Sequence, residues 1–316
     1  MRTFGIEIEF LGDPHSALRA LKDTGLACSD SCVDQDDPLG GYWVMKTDGS
    51  VSEGGELVSP PLEFSEADRR QVDAAVDVLR QSGCTTSTEA GIHVHVSTQG
   101  LTRDQIASTA KFAFRFEDCY FRQGSSGWET MRPYYVQYAH PFTKADKALM
   151  VATDFHADAV LDVGLQTRYY CLNFNNVIRS GGRQTLEFRV FNSSLNPRRI
   201  QSHIALSVAA VEAAANDVFK RMKVTPLNVY ALGSMADGFR DECSALRAMM
   251  CALRGGRRGL SFADRKLISR YWRGSRPQPA PDVAYQLPGW SGSDANRRKT
   301  RGLIEPEDAA LAAAAA

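Results

Sequence analysis

Three short apolar segments of this 316-residue chain carry ionisable residues two positions apart: Gly5-Ile6-Glu7-Ile8-Glu9-Phe10, Ile92-His93-Val94-His95-Val96 and Leu186-Glu187-Phe188-Arg189-Val190. Each reads as a β-strand, because successive side chains of a strand point to opposite faces. One face then gathers Phe4, Ile6, Ile8, Phe10, Ile92, Val94, Val96, Leu186, Phe188 and Val190, and the other gathers Glu7, Glu9, His93, His95, Glu187 and Arg189. Buried charge is costly unless a metal, a ligand or an opposite charge compensates it. The polar face therefore reads as the floor of a metal-dependent active site. A single alternating strand is explained equally well by solvent exposure in a one-sided antiparallel sheet. Three such strands, using Glu, His and Arg rather than Lys, Thr and Gln, argue for a site.

Two carboxylates at positions i and i+2 stand about 7 Å apart at the backbone, which suits two neighbouring hard cations better than one chelated ion. Glu56, in Gly54-Gly55-Glu56-Leu57-Val58-Ser59-Pro60, and Glu187 add oxygen ligands, and His93 adds nitrogen. A His-x-His pair also fits zinc, but the abundance of Glu favours Mg²⁺ or Mn²⁺, the usual escorts of nucleotide phosphates. Neither a Gly-x-x-x-x-Gly-Lys-Ser/Thr loop nor a Gly-x-Gly-x-x-Gly turn occurs, so metals and arginines must hold any nucleotide. Arg189 shares a strand face with Glu187 and is the first candidate for phosphate, with Arg168 and Arg132 as further candidates.

The elements that must position these residues are legible from pattern and punctuation. Strand Thr3 to Leu11 precedes a helix opening near Pro14, with Ala17, Leu18 and Leu21 as its apolar stripe. Tyr42 to Thr47 and Gly55 to Ser59 read as strands joined through the turn Asp48-Gly49-Ser50, and Pro60 and Pro61 end the pairing. Ser65 caps a helix containing Val72, Val76 and Leu79, while Thr102 and Gln105 form a capping box for a helix containing Ile106, Ala110, Ala113 and Cys119 or Tyr120. Arg122 to Ala145 breaks into Gly, Ser, Pro and aromatics and is a candidate lid. Tyr169 to Phe174 and Thr185 to Asn192 read as a strand pair around Ser180-Gly181-Gly182. Asn196 and Pro197 then open an Ala-rich helix reaching about Met222, and further helices are expected at Arg240 to Leu253 and Phe262 to Trp272 before a Pro-rich tail.

Composition is that of a soluble globular protein, with 43% hydrophobic and 23% charged residues. No basic-then-apolar leader and no apolar run of about 20 residues is present, so a cytoplasmic location without membrane partners is expected. Seven scattered cysteines fit a reducing compartment, with Cys28 and Cys32 as incidental thiols lacking a second pair of zinc-site spacing. The net charge of zero conceals a dipole. Residues 1 to 100 hold 7 Lys or Arg against 17 Asp or Glu, whereas residues 240 to 301 hold 14 against 5, a basic stretch open to an anionic or nucleic-acid partner.

Taken in order, Phe4-Gly5-Ile6-Glu7-Ile8-Glu9, Trp43 through Asp48-Gly49-Ser50, Glu56-Leu57-Val58-Ser59-Pro60, Gly91-Ile92-His93-Val94-His95-Val96, Arg168 with Asn173, and Thr185-Leu186-Glu187-Phe188-Arg189 resemble the amidoligase family, which is related to glutamate-cysteine ligase and glutamine synthetase. The resemblance spans about residues 3 to 215. It implies an α+β fold of the glutamine synthetase-like kind, in which a curved, mainly antiparallel sheet lines the active site with helices packed behind it and a helical extension follows. It also implies ATP-dependent joining of a carboxylate to an amine, through an acyl phosphate and with Mg²⁺. Carried over by position, Glu7, Glu9, Glu56, His93 and Glu187 are metal ligands, His95 and Arg189 contact nucleotide phosphate, and Arg168 and Asn173 contact substrate or phosphate. Where the family often shows an Arg, an Asn and a Tyr-Cys pair, this chain reads Met131-Arg132-Pro133-Tyr134-Tyr135. The expected organisation is a catalytic unit over 1–225, a basic helical extension over 226–276 and an extended tail over 277–316. Two alternatives stand beside the ligase: a metal-dependent hydrolase using the same Glu and His residues, and a nucleic-acid or partner-binding module using residues 240–301.

Overall fold

In the computed structural model the described residues are 2–33, 41–47, 53–87, 90–116, 120, 123–124, 139–178, 183–222, 249–253 and 260–274. They form an α+β fold, an open, curled antiparallel sheet backed by helices. In chain order the elements are β1 (Thr3–Leu11), α1 (Pro14–Asp23), β2 (Val44–Thr47), β3 (Gly54–Val58), β4 (Leu62–Glu63), α2 (Glu66–Gln81), β5 (Gly91–Ser97) and α3 (Arg103–Arg115). There follow α4 (Lys144–Ala152), α5 (Ala157–Gln166), β6 (Leu172–Asn173), α6 (Asn175–Ile178), β7 (Thr185–Asn192), α7 (Pro197–Ala215) and α8 (Phe262–Gly274). The sheet runs β2-β3-β1-β5-β7-β6, with β4 paired to the start of β1.

Punctuation in the sequence sets most helix starts. Asp13 caps α1 ahead of Pro14, and Ser65 accepts from the Asp68 amide at the head of α2. Thr102 and Gln105 close a reciprocal capping box on α3, and Asn196 caps α7 ahead of Pro197. The expected strand Tyr169 to Phe174 is shorter than its pattern, with only Leu172–Asn173 pairing to β7. Helix α7 stops at Ala215 rather than near Met222, because Asp217 adopts φ 57°, and a short 3-10 turn over Phe219–Arg221 follows. The tip Asp48-Gly49-Ser50, the turn Ser180-Gly181-Gly182 and most of the expected lid lie outside the described residues.

The apolar faces of β1, β5 and β7 form one buried cluster with Val72, Val76 and Leu79 of α2, Ile106 and Ala110 of α3, and Ile200, Ile204, Val208 and Val211 of α7. Helix α7 packs on β5 and β1, and α8 packs on α7 through Ile268. The helical layer thus covers one side of the sheet and leaves the other to the ionisable residues. Among the described residues no helix is long and apolar enough to cross a membrane.

Helix α7 also buries His203, whose ring stacks on Phe191 of β7 at 4.2 Å between centroids. Burial, aided by the neighbouring Arg199, holds this imidazole well below its ordinary range, so it is neutral in the folded protein. The unfolded chain, whose His titrates near about 6.5, then binds the extra proton, and stability falls as pH drops below that value. Urea midpoints measured from pH 7.5 to 5 should decline less steeply in His203→Phe than in the wild type.

Candidate metal and active site

Strand pairing lays the ionisable residues in one row across the sheet. Lys46 of β2 is opposite Glu56 of β3, Glu56 is opposite Glu9 of β1, and Glu7 of β1 is opposite both Val58 of β3 and His93 of β5. On the far side His95 is opposite Glu187 of β7, which is opposite Asn173 of β6. Between the Ile92–Phe191 and Val94–Phe188 pairs, β7 contains one more residue than β5. Such a bulge re-aims neighbouring side chains, and here it falls beside His93 and Arg189.

The side chains converge. His93 lies between the two β1 carboxylates, with Nδ1 3.0 Å from Glu7 Oε2 and Nε2 3.7 Å from Glu9 Oε1, while Nδ1 is also 3.6 Å from Glu187 Oε1. His95 Nε2 is 3.2 Å from Glu7 Oε1, and its Nδ1 is 3.3 Å from the Thr185 hydroxyl. Glu9 accepts a 2.6 Å hydrogen bond from the Gly91 amide. Glu187 accepts from Asn173 Nδ2 at 2.7 Å and pairs with Arg189. Glu9, Glu56, His93, His95 and Glu187 are all buried, so this is not a solvent-washed sheet face.

Burial by itself would raise the Glu7 carboxyl, but His95 and His93 bring it well below the carboxylate range. Burial likewise opposes ionisation of Glu187, and Arg189, with help from the two histidines, outweighs it. His95 shows the mirror image, since burial disfavours its charged form and the Glu7 and Glu187 carboxylates raise its pKa regardless. Glu7 and Glu187 are therefore ionised carboxylates, compensated by the imidazoles and the Arg189 guanidinium.

Two sets of ligand atoms lie mutually within 4.8 Å, Glu7–Glu56–His93 and Glu7–His95–Glu187, and they share Glu7. Carboxylate oxygen with one imidazole nitrogen per set suits Mg²⁺ or Mn²⁺, so the donor chemistry fits the expected metals. Glu9 adjoins these sets through His93 without belonging to either, while His95 enters one of them, although the family pattern pointed it at phosphate. Cys28 and Cys32 lie outside both sets.

The remaining expected residues distribute unevenly. Asn173 and Arg189 are in the site, both bonded to Glu187. Arg168 is exposed just before β6, its guanidinium 5.1 Å from the Tyr169 ring centre, and Arg189 lies 6.0 Å from the same ring. Tyr169 thus links the outer arginine to the inner one. Arg132 lies outside the described residues. Sequence reasoning missed Lys46, Thr185 and Tyr169. Of these Lys46 had a usable signal, because antiparallel pairing of Tyr42–Thr47 with the Glu56 strand brings the two residues face to face.

The family described as "Putative amidoligase enzyme" matches residues 1–211, and the chain belongs to this amidoligase family. That span includes every strand of the sheet and all of α1 to α6. No curated protein matches the chain. Among solved structures it is similar to a bifunctional glutathione synthetase from Pasteurella multocida, with 13% identity, TM-score 0.42, and 94% of this chain and 49% of that one covered. It is also similar to the complex between the prokaryotic ubiquitin-like protein Pup and its ligase PafA, with 10% identity, TM-score 0.37, and 96% and 66% covered. The chain spans about half the length of the glutathione synthetase.

Proposed function

We propose that the chain is an ATP-dependent carboxylate–amine ligase, with residues 1–225 as its catalytic unit on a glutamine synthetase-like sheet, 226–276 as a basic extension and 277–316 as a tail. The observation that carries this reading is the meeting of four carboxylates and two imidazoles from β1, β3, β5 and β7 in one buried row, within the span of an amidoligase family match. Scattered cysteines and ATP use fit a reducing compartment such as the cytoplasm.

In this reading Glu7, Glu9, Glu56, His93 and Glu187 hold Mg²⁺ or Mn²⁺, which supplies charge neutralisation at the transferring phosphoryl group. A substrate carboxylate oxygen takes the γ-phosphoryl group of ATP, releasing ADP and forming an acyl phosphate. The amine nitrogen then bonds to the acyl carbon, loses its proton, and expels inorganic phosphate. His95 and Arg189 face the phosphates. For Arg189 this means exchanging its Glu187 partner for a phosphate oxygen, so the guanidinium is paired before and after. Asn173 fixes the Glu187 carboxylate through its 2.7 Å hydrogen bond, and Arg168, with Arg132, receives the substrate carboxylate or the outer phosphate. Burial of the row excludes water that would otherwise consume the acyl phosphate.

The test is nucleotide turnover with Mg²⁺ and a panel of amines and carboxylates, read by product mass. ADP and phosphate are expected only when both organic substrates and the metal are present. A hydrolase would release product without nucleotide. Glu187→Gln and His93→Ala should each lower turnover by on the order of a thousandfold while the circular dichroism spectrum stays native. Full turnover in both variants would remove this site from the reaction.

A further inference from the structure

Lys46 belongs to none of the roles assigned above, yet it occupies the β2 end of the same row. Its ammonium is 3.5 Å from Glu56 Oε2, and the two side chains are only 11% and 12% exposed. The carboxylate it touches belongs to the set formed with Glu7 and His93. At the opposite end of the row Glu187 has Arg189 as its cation and Asn173 as its donor. Each end of the row therefore carries a basic side chain paired with a carboxylate of a metal-binding set.

Resting on the metal-centre reading of Proposed function, we propose that Lys46 is the built-in counter-cation of the Glu56 end. It neutralises and orients Glu56 while no divalent ion is bound, and it competes with that ion for the carboxylate. When the ion arrives, its ammonium moves to an anionic oxygen of the polyphosphate. The physical ground is mutual compensation: an ammonium this enclosed is held by its carboxylate, and a dication drawing on the same carboxylate repels it at short range through a medium of low dielectric. Release of the ammonium is favourable only where another anion receives it, so metal binding at Glu56 and polyphosphate binding help one another, by the same factor in both directions. Lys46 is in this sense a positioning residue for the metal and a binding residue for phosphate.

The experiment is calorimetric titration of the full chain with Mn²⁺, with and without a non-hydrolysable ATP analogue, for the wild type, Lys46→Met and Lys46→Arg. The wild type should bind Mn²⁺ more tightly in the presence of the analogue. Lys46→Met should bind Mn²⁺ on the order of tenfold more tightly than the wild type in the absence of the analogue, and should lose most of the analogue's effect. Lys46→Arg should follow the wild type. In a Glu56→Gln background Lys46→Met should no longer change the affinity, because the competed carboxylate is gone. A merely structural lysine gives the opposite sign, since loosening β2 and β3 weakens metal binding. Unchanged or weaker Mn²⁺ binding by a folded Lys46→Met protein, or by Lys46→Gln should the Met variant not fold, overturns the proposal while leaving the metal centre intact. Absence of Mn²⁺ binding by the wild type overturns the metal centre itself, and the Lys46 proposal with it.

Discussion

Glu7→Gln is expected to abolish divalent-metal binding and to lower nucleotide turnover at least a thousandfold, about 4 kcal/mol or more of barrier. No other single substitution in the row should cost more. Glu7 is the member common to both ligand sets, and its two oxygens face His93 at 3.0 Å and His95 at 3.2 Å. Although burial opposes its charge, the two imidazoles hold it ionised far below neutral pH, so the amide substitution removes a full negative charge and not a partial one. The fold should survive. The β1 ladder is set by backbone pairing with β3 and β5, and the apolar face of β1 carries its burial. Mn²⁺ titration, turnover and a thermal melt on one preparation check the prediction. A variant with wild-type Mn²⁺ affinity would show that the convergence of these residues is a structural ion network and not a metal centre.

Gly55→Val should unfold the protein earlier and weaken the metal site together, for a purely steric reason. A Cβ at Gly55 would sit 2.7 Å from the Lys46 carbonyl oxygen, 3.0 Å from Pro14 Cβ and 3.2 Å from Phe10 Cζ. The closest of these atoms is backbone and the next is a ring carbon at the first turn of α1, so neither yields as a flexible side chain would. The strands must separate or the helix must shift, at about 2–4 kcal/mol, seen as a melting temperature lower by roughly 5–15 °C. Glu56 is the next residue and would move with β3, lowering metal affinity. Gly5→Ala is the control, because its Cβ meets only the Ser59 hydroxyl at 3.7 Å and His95 Cβ at 3.9 Å, ordinary contact distances. It should shift the melting temperature by no more than a few degrees. Equal losses in the two variants would contradict the packing described for Gly55.

Helices α4 and α5 show where reading by pattern ran out. No helix is expected from the sequence between the candidate lid and Arg168, yet Lys144–Ala152 opens on a Thr143–Asp146 capping box and Ala157–Gln166 packs onto α3. The first has its start signal in plain sight, obscured by the aromatic run before it. The second has no capping side chain at all, so packing and not punctuation decides it. Tyr169–Phe174 is the converse case, with strand-like residues of which only Leu172 and Asn173 join the β7 ladder, while Tyr170 bridges to His140 instead.

The sequence by itself determined which side chains share a face. Period-two alternation in Phe4–Phe10, Ile92–Val96 and Leu186–Val190 is a local property of the backbone, and it separated the core from the ionisable row before any strand was paired. It likewise set the starts of α1, α2, α3 and α7, since a cap is written within a few residues of the helix it begins. Only the tertiary structure decided that Glu7 meets His93, that Glu9 and Glu56 stand across from each other and that the Lys46 ammonium pairs with Glu56. Those pairings depend on strand order and on register, and each joins residues on different strands, which only folding makes neighbours. A one-residue slip in any ladder would preserve every local pattern and dissolve the site.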